Sequence, residues 1–170
     1  MLLSINELLE LSRQQARLDN YIEARLENHP SQARLFDQRL VAFMVELGEY
    51  ANEERSFKYW SHKPPSPIGM QLEEYIDGLH FLLGLGNMIR YDFSTFKGRK
   101  TPKTKDPVEM MLFVMKQFFA FQSSPTVGNY TKLLDSYLQL GVIHGYNHDD
   151  VIQVYRQKNA VNYHRQNENY

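Results

Sequence analysis

Apolar residues recur along the chain at steps of three and four, the spacing of one face of a helix. Leu8, Leu11, Gln15, Leu18 and Ile22 form the first such stripe. Ser4-Ile5-Asn6-Glu7 precedes it with capping-box spacing, and Asn28-His29-Pro30 is expected to end it. A second helix is predicted from about Ser31 to about Glu54, with Leu40, Phe43, Leu47 and Tyr50 on its apolar side. Three prolines in Lys63-Pro64-Pro65-Ser66-Pro67 remove donors and forbid regular structure. A third helix follows, Met70 to about Arg90, carrying Leu72, Tyr75, Ile76, Leu79, Leu82 and Leu83. Residues 91–105, rich in Lys, Arg and Thr, read as a loop. Asp106-Pro107-Val108-Glu109 starts a fourth helix, with Asp at the N-cap and Pro at the first helical position. It runs to about Gln122. A fifth spans about Asn129 to Leu140, and a sixth opens at Asn147 and continues nearly to the C-terminus. No segment alternates strictly. The pattern predicts an all-α, single-domain bundle of about six helices over residues 1–170.

Composition narrows the function classes. At 170 residues, 42% hydrophobic, the chain is long enough for a packed core without staples. It has no cysteine, which excludes disulfides, thiolate metal sites and thiol catalysis and fits a reducing cytosol. A formal net charge of −1 argues against a nucleic-acid coat, which needs a basic excess. No apolar run approaches the ~20 residues of a membrane span. The opening MLLSINELLELSRQQ has neither a basic start nor a long apolar stretch, so no signal peptide is expected. A soluble cytoplasmic domain is the expectation, with neither nucleic acid nor membrane as partner. The small total conceals segregation. Glu46 to Asp77 holds seven acidic and three basic residues, whereas Arg90 to Lys105 holds six basic and one acidic.

The acidic stretch has helical order. Glu46 and Glu49 stand three apart in the second helix; Glu74 and Asp77 stand three apart in the third. Such residues are surface neighbours, so each pair makes a two-carboxylate patch. Glu46 lies beside the Phe43/Leu47/Tyr50 stripe, and Asp77 and His80 flank the Leu72/Leu79/Leu83 face. Two helices joined by a modest loop favour antiparallel packing, which could bring all four carboxylates together. Like charges raise one another's pKa, and divalent cations remove that difficulty. Oxygen ligands suit Mg²⁺, and four carboxylates match two Mg²⁺ formally, which suggests two-metal phosphate chemistry. The alternative for any single carboxylate is a solvated helix surface.

Polar residues also occupy stripe positions. Gln15 is either a core hydrogen-bonder or a reader of a planar polar ligand. The last helix continues its Val151, Val154 and Tyr155 face as Lys158, Asn162 and Arg165. These are either a solvated helix end or cations aimed at an anion. Phe57-Lys58-Tyr59-Trp60-Ser61-His62-Lys63 either closes over a base and its phosphates or pins its loop to the core.

In combination these segments resemble a known family. Glu46-x-x-Glu49 followed by Glu74-x-x-Asp77 is similar to the metal signature of all-α nucleoside triphosphate pyrophosphatases. ELGEYANEERSFKYWSHKPP, LEEYIDGLHF, YRQKNAVNYHRQ and the opening QQARLD resemble the dimeric, all-α dUTP diphosphatases, including bacterial and phage-encoded members. Residues 92–125 carry no matching motif. The resemblance implies an Mg²⁺-dependent enzyme converting dUTP to dUMP and pyrophosphate, which keeps uracil out of DNA. Glu46, Glu49, Glu74 and Asp77 match its metal ligands, with two Mg²⁺ per site when substrate is bound. Glu49, or else Glu46, would orient and deprotonate the attacking water. Lys158, Asn162 and Arg165 match its phosphate-binding residues, and Lys58 joins them. Gln15, Trp60 and His80 match its uracil and deoxyribose pocket. Asn52 lies in its second-helix motif. Asp19 stands where some relatives carry Asn and is left out of the base-reading set. Attack on the β-phosphorus would make dUDP a substrate too, and a homodimer is implied whose partner helps close the site. The alternatives are a related pyrophosphatase acting on another nucleotide such as dCTP, or a helical protein that binds a regulator, as some phage-encoded relatives are thought to do.

Overall fold

The computed structural model describes residues 2–168. Its helices are α1 (Ile5–Glu23), α2 (Gln32–Glu54), α3 (Ile68–Met88), α4 (Pro107–Ser123), α5 (Val127–Ile143) and α6 (His148–Asn167). A single 3₁₀ turn, Phe93–Thr95, lies between α3 and α4, and no strand occurs among the described residues. The starts follow the capping residues in the sequence. Ser4 and Glu7 form a reciprocal capping box, Ser31 caps α2 through Arg34 N, and Asp106 caps α4 with Pro107 behind it.

Several boundaries differ from expectation. Helix α1 stops at Glu23 rather than near Asn28, because its apolar stripe ends at Ile22 and the Ala24 amide closes on Asn20 O and Ile22 O. Helix α3 begins at Ile68 behind Pro67 and ends at Met88. Helix α5 begins at Val127, where Thr126 supplies the cap, and passes through Gly141 to Ile143. A side chain at 141 would run into Leu2 and the Tyr75 ring, so that glycine serves packing instead of ending the helix. Residues 91–105 are anchored more firmly than a polar loop suggests. Tyr91, Phe93 and Phe96 are buried, Arg99 N donates to Asp135 Oδ1 at 2.8 Å, and Lys103 N donates to Gln139 Oε1 at 2.9 Å.

Helix α3 is the axis of the molecule, packed against α1, α2, α5 and α6, while α4 lies on α5. Helices α2 and α3 run antiparallel: Tyr50 meets Tyr75 near the connecting loop, and Arg39 meets Gly84 at the far end. Helices α1 and α6 run side by side in the same direction, joined by Glu7–His148, Glu10–Arg156 and Tyr21–Tyr163. Burying an apolar face on every side explains why α3 is the richest in leucine, with Leu72, Leu79, Leu82, Leu83 and Leu85 all buried. Among the described residues no helix is long and apolar enough to cross a membrane.

Candidate active site

Antiparallel packing of α2 on α3 decides which carboxylates meet. Oxygen atoms of Glu46, Glu74 and Asp77 lie within 4.8 Å of one another, a spacing that a metal ion could bridge. Each of the three is half-buried. Glu49, one turn beyond Glu46, is exposed and stands outside this trio, near enough that its charge raises the pKa of Glu46 and Glu74. Burial, then the neighbouring charges of Asp77, Glu49 and Glu74, push Glu46 up to about 7. Burial likewise raises Glu74, helped by Asp77, and raises Asp77 against the pull of Lys158. Three carboxyls held above their ordinary range beside one another are a site short of positive charge.

Helix α6 supplies part of that charge. Lys158 Nζ lies 2.6 Å from Asp77 Oδ2 and 3.6 Å from Glu73 Oε2. Burial opposes the ammonium, but Asp77, Glu73 and Glu74 outweigh it and hold its pKa above the ordinary value. Arg165, two turns further along α6, is exposed and its charge also lowers the pKa of Asp77. Asn162 is half-buried between them in sequence. Lys158 therefore faces the acidic cluster, while Arg165 is exposed to solvent and acts on Asp77 through its charge.

Gln15 and His80 meet deeper in the bundle. His80 Nδ1 lies 2.6 Å from Gln15 Oε1, and the Tyr155 hydroxyl donates to the same oxygen at 2.9 Å. Tyr155 also stacks on His80, with ring centroids 4.0 Å apart. Burial, with the Lys158 charge adding to it, pushes His80 down to about 3, so its ring is neutral at physiological pH. His80 Nε2 is buried without a partner. Asn159 Nδ2 is buried and unpartnered too. Asn159 was not among the expected site residues, although its position carries a signal: it lies one turn after Tyr155 and two after Val151 on the buried face of α6.

The aromatic loop does not pin itself to the core. Trp60 is 63% exposed and Tyr59 93% exposed, and Phe57, Tyr59 and Trp60 pack edge-on against one another. Arg55, the left-handed cap of α2 at φ 71°, holds this loop through Ser61 Oγ at 2.8 Å and Lys63 O at 3.2 Å. Lys58 is tied to Asn52 through its carbonyl and side-chain oxygens.

The described residues form an all-α bundle in which carboxylates from two helices gather beside a cationic third. No curated protein matches the chain. The family model described as dUTPase matches residues 7–170, and the chain belongs to that family. It is a dUTP diphosphatase.

Proposed function

We propose that this dUTP diphosphatase acts as one domain spanning residues 1–170, with Mg²⁺ held by Glu46, Glu74 and Asp77 and joined by Glu49. The observation that carries the reading is the convergence of three carboxylates within 4.8 Å, with Glu46 held up to about 7. All-oxygen donors on helices suit Mg²⁺, two ions per site with substrate bound. Bound Mg²⁺ neutralises phosphate charge and lowers the pKa of water. Glu49, the carboxylate outside the trio, both joins the metal ligands and takes the proton of the attacking water, with Glu46 assisting. The water oxygen bonds to phosphorus, the bond between the α- and β-phosphates breaks, and dUMP and pyrophosphate separate. Attack on the β-phosphorus would make dUDP a further substrate. Lys158, Asn162 and Arg165 hold the phosphates, and Lys58 reaches them from its loop. For this, Lys158 exchanges Asp77 for a phosphate oxygen.

Gln15, His80 and Trp60 bind the base and deoxyribose. His80 offers a buried ring nitrogen without a partner, and Trp60 offers an exposed ring for stacking. A homodimer is supported by apolar side chains left on the outside of α2 and α4, among them Val41, Val45, Leu112 and Phe119. A cytoplasmic location fits the absence of cysteine.

Pyrophosphate release from dUTP, dCTP and dTTP and phosphate release from dUDP, each with and without Mg²⁺, test the reading. Release from dUTP that depends on Mg²⁺ and disappears in Glu49→Ala is expected. Faster turnover of dCTP or dTTP would replace the substrate, and release without any divalent ion would remove the metal. A cellular effect that survives Glu49→Ala would point to binding of a regulator instead.

A further inference from the structure

Three groups meet inside the bundle at the residues proposed to bind the base and sugar, and none has a fixed hydrogen-bonding direction. The Gln15 amide can present either its oxygen or its nitrogen. The neutral His80 ring can carry its proton on Nδ1 or Nε2, and the Tyr155 hydroxyl can donate or accept. Taken alone, this trio is satisfied equally well with every bond reversed. Gln15 Nε2 would then donate to His80 Nδ1, the proton would sit on Nε2, and Tyr155 would turn to Leu11 O, 3.4 Å away.

The other side of Gln15 breaks the symmetry. Its Nε2 donates to Asp19 Oδ1 at 2.8 Å, and Asp19 Oδ2 accepts from Arg39 Nη1 at 2.8 Å. Arg39 Nη2 donates to Glu23 Oε1 at 2.9 Å. A guanidinium only donates and an ionised carboxylate only accepts, so this end of the chain has one possible direction. Burial raises the pKa of Asp19, and Arg39 and Gln15 pull it back. The ion pair lies directly on α3, one turn beyond His80. A Cβ on Gly84 would sit 3.0 Å from Arg39 Nη1 and 3.1 Å from Asp19 Oδ2.

We infer that Arg39, acting through Asp19, is a positioning residue that fixes the Gln15 amide and thereby the His80 tautomer, with the proton on Nδ1 and Nε2 left as a bare acceptor. The pocket is thus set to receive a ligand N–H or O–H and to reject a lone pair at that point. On a deoxyuridine nucleotide the donor is either the N3–H of the base, which cytosine lacks, or the sugar 3′-hydroxyl. The inference rests on the proposed role of Gln15 and His80 in the pocket, but the tautomer can be read without substrate.

The test is a long-range ¹H–¹⁵N imidazole spectrum of the full chain, with His80 identified by the signals that vanish in His80→Gln. The wild type is expected to show His80 protonated on Nδ1, and Arg39→Lys, which still only donates, is expected to keep it there. Asp19→Asn is nearly isosteric and should invert the tautomer. Arg39 would take the new amide oxygen, the new NH₂ would face Gln15, and the Gln15 amide would turn over. Turnover of dUTP should then fall about tenfold in kcat/KM, through KM, as befits one reversed hydrogen bond. If the donor is N3–H, the dUTP preference over dCTP narrows in Asp19→Asn. If it is the 3′-hydroxyl, that preference holds and the penalty disappears with 2′,3′-dideoxyuridine triphosphate. A wild-type ring protonated on Nε2, or a tautomer unmoved by Asp19→Asn, overturns the inference. Inversion in a protein that does not hydrolyse dUTP would leave the inference standing and remove the function assigned to the pocket.

Discussion

Glu46→Gln should stabilise the metal-free protein while removing its response to Mg²⁺, a combination that ordinary core or surface substitutions do not produce. In the folded chain Glu46 holds its proton up to about pH 7, against an ordinary value of 4.5. Between those two values the folded state binds a proton that the unfolded state has released. Stability therefore falls as pH rises through this window, and the penalty is complete above about pH 7. The shift corresponds to a ceiling of about 3 kcal/mol at roughly 1.4 kcal/mol per pH unit. Because the carboxylate is only half-buried, solvent screening cuts this to about 1–2 kcal/mol. For a chain of this size that is a rise of about 2–8 °C in Tm at pH 8 and almost none near pH 4.5. Mg²⁺ at a hundred times its Kd should add about 2.7 kcal/mol to the wild type and much less to the variant. Thermal unfolding at the two pH values, each with and without Mg²⁺, measures all of this. If Glu46→Gln melts at or below the wild-type temperature at pH 8 and keeps the full Mg²⁺ increment, the electrostatic account of the cluster is wrong.

Three further perturbations separate packing from function. Gly78→Ala places a Cβ 3.0 Å from Tyr137 Cζ and closer still to its hydroxyl, which donates to Tyr75 O at 2.7 Å. It should cost about 2–3 kcal/mol in urea unfolding, and a loss below about 0.5 kcal/mol would mean that the tyrosine moves aside freely. Lys158→Met removes the cation 2.6 Å from Asp77. Metal-free stability near neutral pH should drop by about 1 kcal/mol, added Mg²⁺ should restore it, and dUTP turnover should fall about a hundredfold; unchanged turnover would dissociate α6 from phosphate binding. Trp60→Ala should leave Tm within about 2 °C, since the ring is exposed, yet raise KM for dUTP. An unaltered KM would take Trp60 out of the pocket.

Much of the architecture was legible in periodicity and caps. The stripe residues Leu8, Leu11, Gln15 and Leu18 are all buried, as are Leu40, Phe43, Leu47 and Tyr50 on α2. Ser4, Ser31 and Asp106 cap helices because a side-chain oxygen beside free amides acts over one turn, within reach of local sequence. Burial within 91–105 was not legible. Tyr91, Phe93 and Phe96 follow no regular period, and what buries them is α1 and α5, distant in sequence.

At the site the division is sharper. Helical spacing alone puts Glu46 beside Glu49 and Glu74 beside Asp77, because residues three apart share a face whatever surrounds them. Periodicity states which side of a helix looks inward, but not which neighbour it meets or how far along. Only the antiparallel docking of α2 on α3 joins Glu46 to Glu74 and Asp77 and leaves Glu49 outside the trio. Only the placement of α6 sets Lys158 on Asp77, 81 positions earlier in the chain. Arg39, Asp19, Gln15 and His80 come from three helices, and the direction of their hydrogen bonds is fixed by an ion pair that no local pattern announces. Local patterns in the chain suffice for the helices, their inward faces and the chemical groups available to the site. The tertiary structure decided which charges are buried together and so which carboxyls hold their protons, because burial and Coulomb interaction depend on distance in space rather than along the chain.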